Sequence, residues 1–145
     1  MVVSSSAFWD SSALAPLCMR EPSTQRARAF FRQYPPVVWW ATDVELYSAI
    51  ARSLRFGSID TSEADSATAA LDRIRFNWRE IVPDDDLRNM ARNLLDRFPL
   101  RAADSLQLAA ALTWCDNRPP GRTFLCGDKR LAQAAEALGF SVILL

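Results

Sequence analysis

Four acidic residues stand where a carboxylate can do chemistry. Asp10 directly follows a short apolar run, "SAFW" (6–9), and Glu45 lies in the first turn of a helical pattern that follows a second run, "VVWW" (37–40). Asp104 opens the apolar stretch "DSLQLAAALTWC" (104–115), and Asp128 follows "TFLC" (123–126) after a single glycine. The chain contains no histidine, which removes the commonest general base, every triad that needs imidazole, and histidine-dependent zinc sites. Any chemistry here runs on carboxylates, hydroxyls or a metal.

Each acid alone also has a capping explanation. Thr42-x-x-Glu45 has the spacing of a capping box, and Asp10, Asp104 and Asp128 sit where a helix-start acid satisfies free backbone amides and the helix dipole. Asp84, Asp85 and Asp86, after Pro83, serve as a control and read as solvated caps. Taken jointly, Asp10, Glu45 and Asp128 follow strand ends that converge on one rim, which Asp104 joins if its helix points there. Two carboxylates about 4 Å apart repel by roughly 4 kcal/mol at an effective dielectric of 20, so such a cluster calls for a cation. Oxygen-only ligation selects a hard ion, Mg²⁺ or Mn²⁺, which turns a water into a nucleophile and clamps a phosphodiester. Phosphoryl hydrolysis is the chemistry indicated.

The elements that must position these acids alternate. Strands are expected at 6–9, 37–40, 80–82, 123–126 and 141–145. Helices are expected over "DSSALAPLCM", over 23–33 with Ala27, Phe30 and Phe31 on one face, and from Thr42 to Phe56 with a buried stripe of Val44, Tyr47, Ile50, Ala51 and Leu54. Further helices are expected over 62–76, over 84–98 with Leu87, Met90, Leu94 and Leu95 inside, over 104–115, and over "KRLAQAAEAL", ended by Gly139. Alternation of this kind gives an α/β fold, a mostly parallel sheet of about four to five strands flanked by helices on both faces. Ligands of such sheets bind outside the carboxyl ends of the strands.

The bulk properties agree with one domain over 1–145. Half of the residues are apolar, enough to bury a core without disulfide staples. Lys plus Arg and Asp plus Glu are 17 each, so no polycationic character advertises nucleic acid. Cys18, Cys115 and Cys126 are widely spaced in apolar surroundings and read as buried small hydrophobes in a reducing compartment. With neither a signal-peptide pattern nor a membrane-length apolar run, a cytoplasmic protein with no membrane association is expected.

"FWDSSAL", "VELYSAIAR", "RAADSLQLAAAL" and "FLCGDKRLAQAAEALGF" resemble, in order and spacing, the four acidic motifs of PIN-domain ribonucleases, particularly the VapC toxins of VapBC toxin–antitoxin modules. The resemblance covers nearly the whole chain and implies a PIN-like three-layer fold. It further implies that Asp10, Glu45, Asp104 and Asp128 hold Mg²⁺ or Mn²⁺, and that Ser12, with Ser11 beside it, helps order the site. Arg101 resembles a basic position that contacts RNA phosphate or an antitoxin carboxylate, and Lys129 and Arg130 could neutralise phosphate at the rim; for each the alternative is a solvated charge. The activity implied is metal-dependent endonucleolytic cleavage of RNA, often transfer or ribosomal RNA, restrained by a cognate VapB antitoxin and carried out by a homodimer formed through the early helices. Leu54, Phe56, Phe76 and Trp78 are candidates for a face that meets the second copy or the antitoxin. The family's first strand usually starts almost at the first residue, whereas here "MVVSSS" precedes it. The competing readings are a catalytically silent PIN-like module that binds RNA or protein, an aspartyl phosphatase, disfavoured because Ser12 stands where a second acid is needed, and a receiver-type domain, weakened because no paired acid adjoins Asp10.

Overall fold

The computed structural model describes residues 5–145; the first part of the segment ahead of the first strand, residues 1–4, lies outside the described residues. The elements follow in the order β1 (Ala7–Trp9), α1 (Ser11–Cys18), α2 (Thr24–Gln33), β2 (Pro36–Trp39), α3 (Thr42–Arg55), α4 (Thr61–Arg75), β3 (Arg79–Ile81), α5 (Asp85–Arg97), α6 (Ala102–Trp114), β4 (Thr123–Cys126), α7 (Lys129–Leu138) and β5 (Ser141–Leu144). The strands form one sheet in the order β3-β2-β1-β4-β5, parallel at every pairing.

Alternation of side chains along the strands builds two cores, one on each face of the sheet. Ala7, Trp9, Val38 and Leu125 point to the side covered by α1, α3 and α4, where they meet Leu14, Leu46, Ile50 and Leu71. Phe8, Val37, Trp39 and Phe124 point to the other side, against Leu87, Leu94, Leu108 and Leu131 of α5, α6 and α7. Burial on both faces is why the central strands read as unbroken apolar runs. Around β1 the chain order reverses: β2 and β3 lie on one side, β4 and β5 on the other. In open parallel sheets that reversal opens a crevice at the carboxyl ends of the strands.

Local expectations are corrected at four points. β2 begins at Pro36, tolerated as the first residue of a strand because its missing N–H is not needed there, and ends before Trp40, whose ring is exposed. β3 covers 79–81, leaving Val82 in solvent. In α3 the buried face is Thr42, Leu46 and Ile50, while Val44, Tyr47 and Leu54 are 65, 55 and 40% exposed. The helix carries two apolar stripes, and only the one with Leu46 faces the sheet. In α5 Ala91 takes the core position expected of Leu95, which is exposed. Cys115 and Cys126 are buried and Cys18 is half-buried, all as free thiols. Among the described residues no helix is long and apolar enough to cross a membrane.

Candidate active site

Asp10 leaves β1 as the N-cap of α1. Its carboxylate accepts the Ser12 N–H at 3.0 Å and also accepts the Ser12 hydroxyl, while its own N–H donates to the Leu125 carbonyl at 2.9 Å. The carboxylate of Asp128 caps α7 in the same manner, accepting from the N–H groups of Arg130 at 2.8 Å and Leu131 at 3.1 Å. The capping reading of both residues is therefore right, and it leaves each carboxylate at the crevice between β1 and β4. Asp84 caps α5 through the Leu87 N–H at 2.7 Å. It does so after β3, at the outer edge of the sheet and away from β1, so the control acids stay solvated caps.

Glu45 does not form the capping box. The N-cap of α3 is Ala41, and Thr42 is already helical and fully buried. Instead Glu45 accepts from the Ser11 hydroxyl at 3.1 Å and from Nε2 of Gln107 at 3.1 Å. The same Nε2 donates to Thr42 Oγ1 at 3.2 Å. Asp104 is the third residue of α6, not its cap; Arg101 holds the cap position, and its backbone N–H bonds to the Asp104 carboxylate. α1, α3 and α7 each follow a strand, so their positive ends face this rim and partly offset its negative charge; α6 follows α5, and its first turn reaches the rim through Asp104, whose charge acts on Asp10 and Glu45.

The acids sense one another. Burial, opposed by the Ser12 hydrogen bonds and reinforced by the charges of Asp104 and Asp128, lifts Asp10 from 3.8 to about 6. Burial first, then the Asp10 charge, with a smaller push from Asp104, raises Glu45 from 4.5 to about 7 against the bonds from Ser11 and Gln107. Asp104 is raised by burial and by Asp128, against the Arg101 amide and the charges of Arg101 and Arg130. In each case burial is the largest cause and a neighbouring carboxylate adds to it; only Asp104 has cations acting against the rise.

Two clefts open onto this cluster. One, of about 820 Å³, is lined by Ser11, Ser12, Glu45 and Gly127 and runs along α3 to Arg52 and Phe56. The other, of about 780 Å³, is lined by Asp104 and Asp128 together with Arg101, Lys129 and Arg130. Asp10, 4% exposed, is coupled to the acids of both. The three cations named from sequence thus border the acids, all of them exposed. Ser12 fastens the two halves: its hydroxyl accepts the Gly127 N–H at 2.7 Å while donating to Asp10. A Cβ on Gly127 would lie 3.0 Å from the Ser12 carbonyl oxygen, tighter than an ordinary contact, so any larger residue would push the β4–α7 turn away from α1 by a few tenths of an ångström.

The donor set is all oxygen. Burial pushes the neighbouring Cys126 thiol up to about 12, so no thiolate competes. Among the described residues no three or more Asp, Glu or Cys side chains are gathered closely enough to enclose an ion by themselves. The residues fit a hard divalent cation that retains much of its water, as Mg²⁺ does, and not a closed protein cage.

Gln107, Thr42 and Gly127 are the residues of this site that the motifs do not name. The signal for Gln107 is a lone amide in an otherwise apolar helical run, three residues after Asp104 and therefore on the same face.

No protein-family model matches the chain, and no curated protein matches it by sequence. Solved structures do match by shape. The protein PAE2754 from Pyrobaculum aerophilum superposes with a TM-score of 0.62 at 18% identity, over 90% of this chain and 80% of that one. A toxin–antitoxin complex from Klebsiella pneumoniae gives a TM-score of 0.60 at 15% identity, over 88% of this chain and 91% of that one. At these identities the likeness is one of fold, the PIN-like three-layer α/β arrangement.

Proposed function

We propose that the chain is a metal-dependent endoribonuclease and the toxin component of a toxin–antitoxin system. The observation that carries this reading is that four carboxylates from four separate elements, set around two clefts, lie near enough for their charges to act on one another, three of them with raised proton affinities. Asp10, Glu45, Asp104 and Asp128 would hold Mg²⁺ or Mn²⁺, which when bound supplies charge neutralisation at phosphate and a water acidified for attack.

The chain's own groups have separable tasks. Arg101, Lys129 and Arg130, around the second cleft, are placed to take RNA phosphates and draw the strand to the acids. Ser12 holds Asp10 and the turn before Asp128 in register. No histidine is present to act as base, so one of the carboxylates would take the proton of the attacking water. Transfer or ribosomal RNA is the proposed substrate, met in the cytoplasm.

The Klebsiella structure of similar fold is a complex with an antitoxin, which supports a VapB-like antitoxin as the partner here. The outward stripe of α3 supports a homodimer as well. Val44, Tyr47, Ala51 and Leu54 recur at steps of three, four and three residues along α3, the spacing that packs one helix on another, and Trp40 and Phe56, just outside the two ends of the helix, are also exposed.

Induced expression tests the reading. The wild-type chain is expected to arrest growth, with RNA from the arrested cells carrying breaks at a few discrete sites. Glu45→Gln is expected to abolish both effects. Arrest without RNA breaks would overturn it in favour of a module that binds without cutting, and breaks undiminished in the variant would overturn the role of Glu45 in cleavage.

A further inference from the structure

Gln107 lies in the middle of α6, fully buried among Leu108, Ala110 and Ala111. A buried amide in an apolar helix is expensive unless all its hydrogen-bonding atoms are used. Only half of this one is used. Nε2 donates to Glu45 Oε2 at 3.1 Å and to Thr42 Oγ1 at 3.2 Å, whereas Oε1 is buried with no hydrogen-bond partner. A methionine or leucine would fill the position without that cost. Stability of the fold therefore does not account for glutamine here.

We infer that Gln107 is a positioning residue, whose amide fixes the Glu45 carboxylate toward Asp10 and ties α3, which carries Glu45, to α6, which carries Asp104. Four side-chain bonds hold the acid-bearing elements to one another: Ser11 to Glu45 between α1 and α3, Gln107 to Glu45 and to Thr42 between α6 and α3, and the Gly127 amide to Ser12 between the β4–α7 turn and α1. Of these the pair from Gln107 is the one that reaches α6, the helix that carries Asp104. Without it Glu45 retains the Ser11 hydroxyl, a single flexible partner, and its carboxylate swings toward solvent in the α1–α3 groove. The inference rests on the metal-site reading above, because placement of Glu45 matters only if Glu45 binds something.

The test measures Mn²⁺ affinity by titration calorimetry on metal-stripped protein, with melting temperature in chelator as the stability readout. Gln107→Met is expected to melt at or above the wild-type temperature while Mn²⁺ binding weakens about 10- to 100-fold, the usual effect of losing a group that orients a ligand. In a Glu45→Gln background the same substitution should change affinity by less than about 2-fold, since the carboxylate that it positions is already gone. Gln107→Asn keeps the amide but not the reach, and should weaken Mn²⁺ binding likewise; it answers the question if Gln107→Met does not fold. Wild-type affinity in both variants would overturn the inference, as would a loss of equal size in the Glu45→Gln background. A wild-type protein that binds no Mn²⁺ would instead overturn the metal reading, and this inference with it.

Discussion

Replacing Asp10 by asparagine should stabilise the metal-free protein at neutral pH and do nothing, or slight harm, in acid. Asp10 is 4% exposed and its proton affinity is lifted from 3.8 to about 6 by burial and by Asp104 and Asp128. That interval corresponds to about 3 kcal/mol. The folded protein holds this proton more tightly than the unfolded chain does, so the stability it contributes is fully present below pH 3.8 and is lost as pH rises through about 6. Asparagine keeps a side-chain oxygen for the Ser12 N–H but gives up the charge-assisted bonds, a loss of about 1 kcal/mol. The net gain above pH 7 is therefore about 2 kcal/mol, a rise in melting temperature of about 4–8 °C for a chain this size. Thermal melts in chelator at pH 7.5 and pH 4.5 measure it: the variant should lead at the higher pH, and the lead should vanish or reverse at the lower. A deficit of equal size at both values would refute the reasoning, because it would mean that Asp10 acts as a helix cap and nothing more.

The remaining predictions address the scaffold around the acids. Gly127→Ala should cost about 1–3 kcal/mol by overpacking, since its Cβ meets the Ser12 carbonyl at 3.0 Å, and RNA cleavage should fall further than stability because Asp128 moves with the turn; denaturant melts alongside a cleavage assay measure both. Asp84→Ala should cost about 1 kcal/mol, the worth of an ordinary cap, and leave cleavage unchanged. Leu54→Lys combined with Tyr47→Glu should leave the melting temperature within a few degrees of wild type, as both side chains are largely in solvent, and shift light-scattering mass from dimer to monomer.

Much of the fold was legible because buried parallel strands leave an unmistakable trace. "AFW", "VVW" and "TFLC" are short apolar runs, each followed within a few residues by a helix start, and three of the four acids, Asp10, Glu45 and Asp128, lie at those junctions. The inner face of α3 was not legible. Its sequence supports two apolar stripes, and which one turns inward is decided by Leu14, Ala67 and Leu71 of α1 and α4, which no local pattern announces. Thr42-x-x-Glu45 misled for a related reason: the chain enters the helix one residue early, at Ala41, so the threonine is drawn into the core and the glutamate is free to face Ser11 and Gln107. The Gln107 bond spans 62 positions in sequence, so its meaning appears only after the sheet has brought α6 beside α3. The division of the acids between two clefts has the same origin, since spacing places residues on a rim but does not say which neighbours they meet across it.

Hydrolysis of RNA by the four carboxylates with a divalent ion is tested by cleavage with purified protein. A labelled total transfer-RNA pool, supplemented with ribosomal RNA, would be incubated with wild-type protein in Mg²⁺, in Mn²⁺ and in chelator, beside an Asp104→Asn control of equal melting temperature. A small set of discrete fragments is expected in either metal, none in chelator, and a rate at least about 100-fold lower in the control. Fragments that persist in chelator, or that the control produces at the wild-type rate, would contradict it.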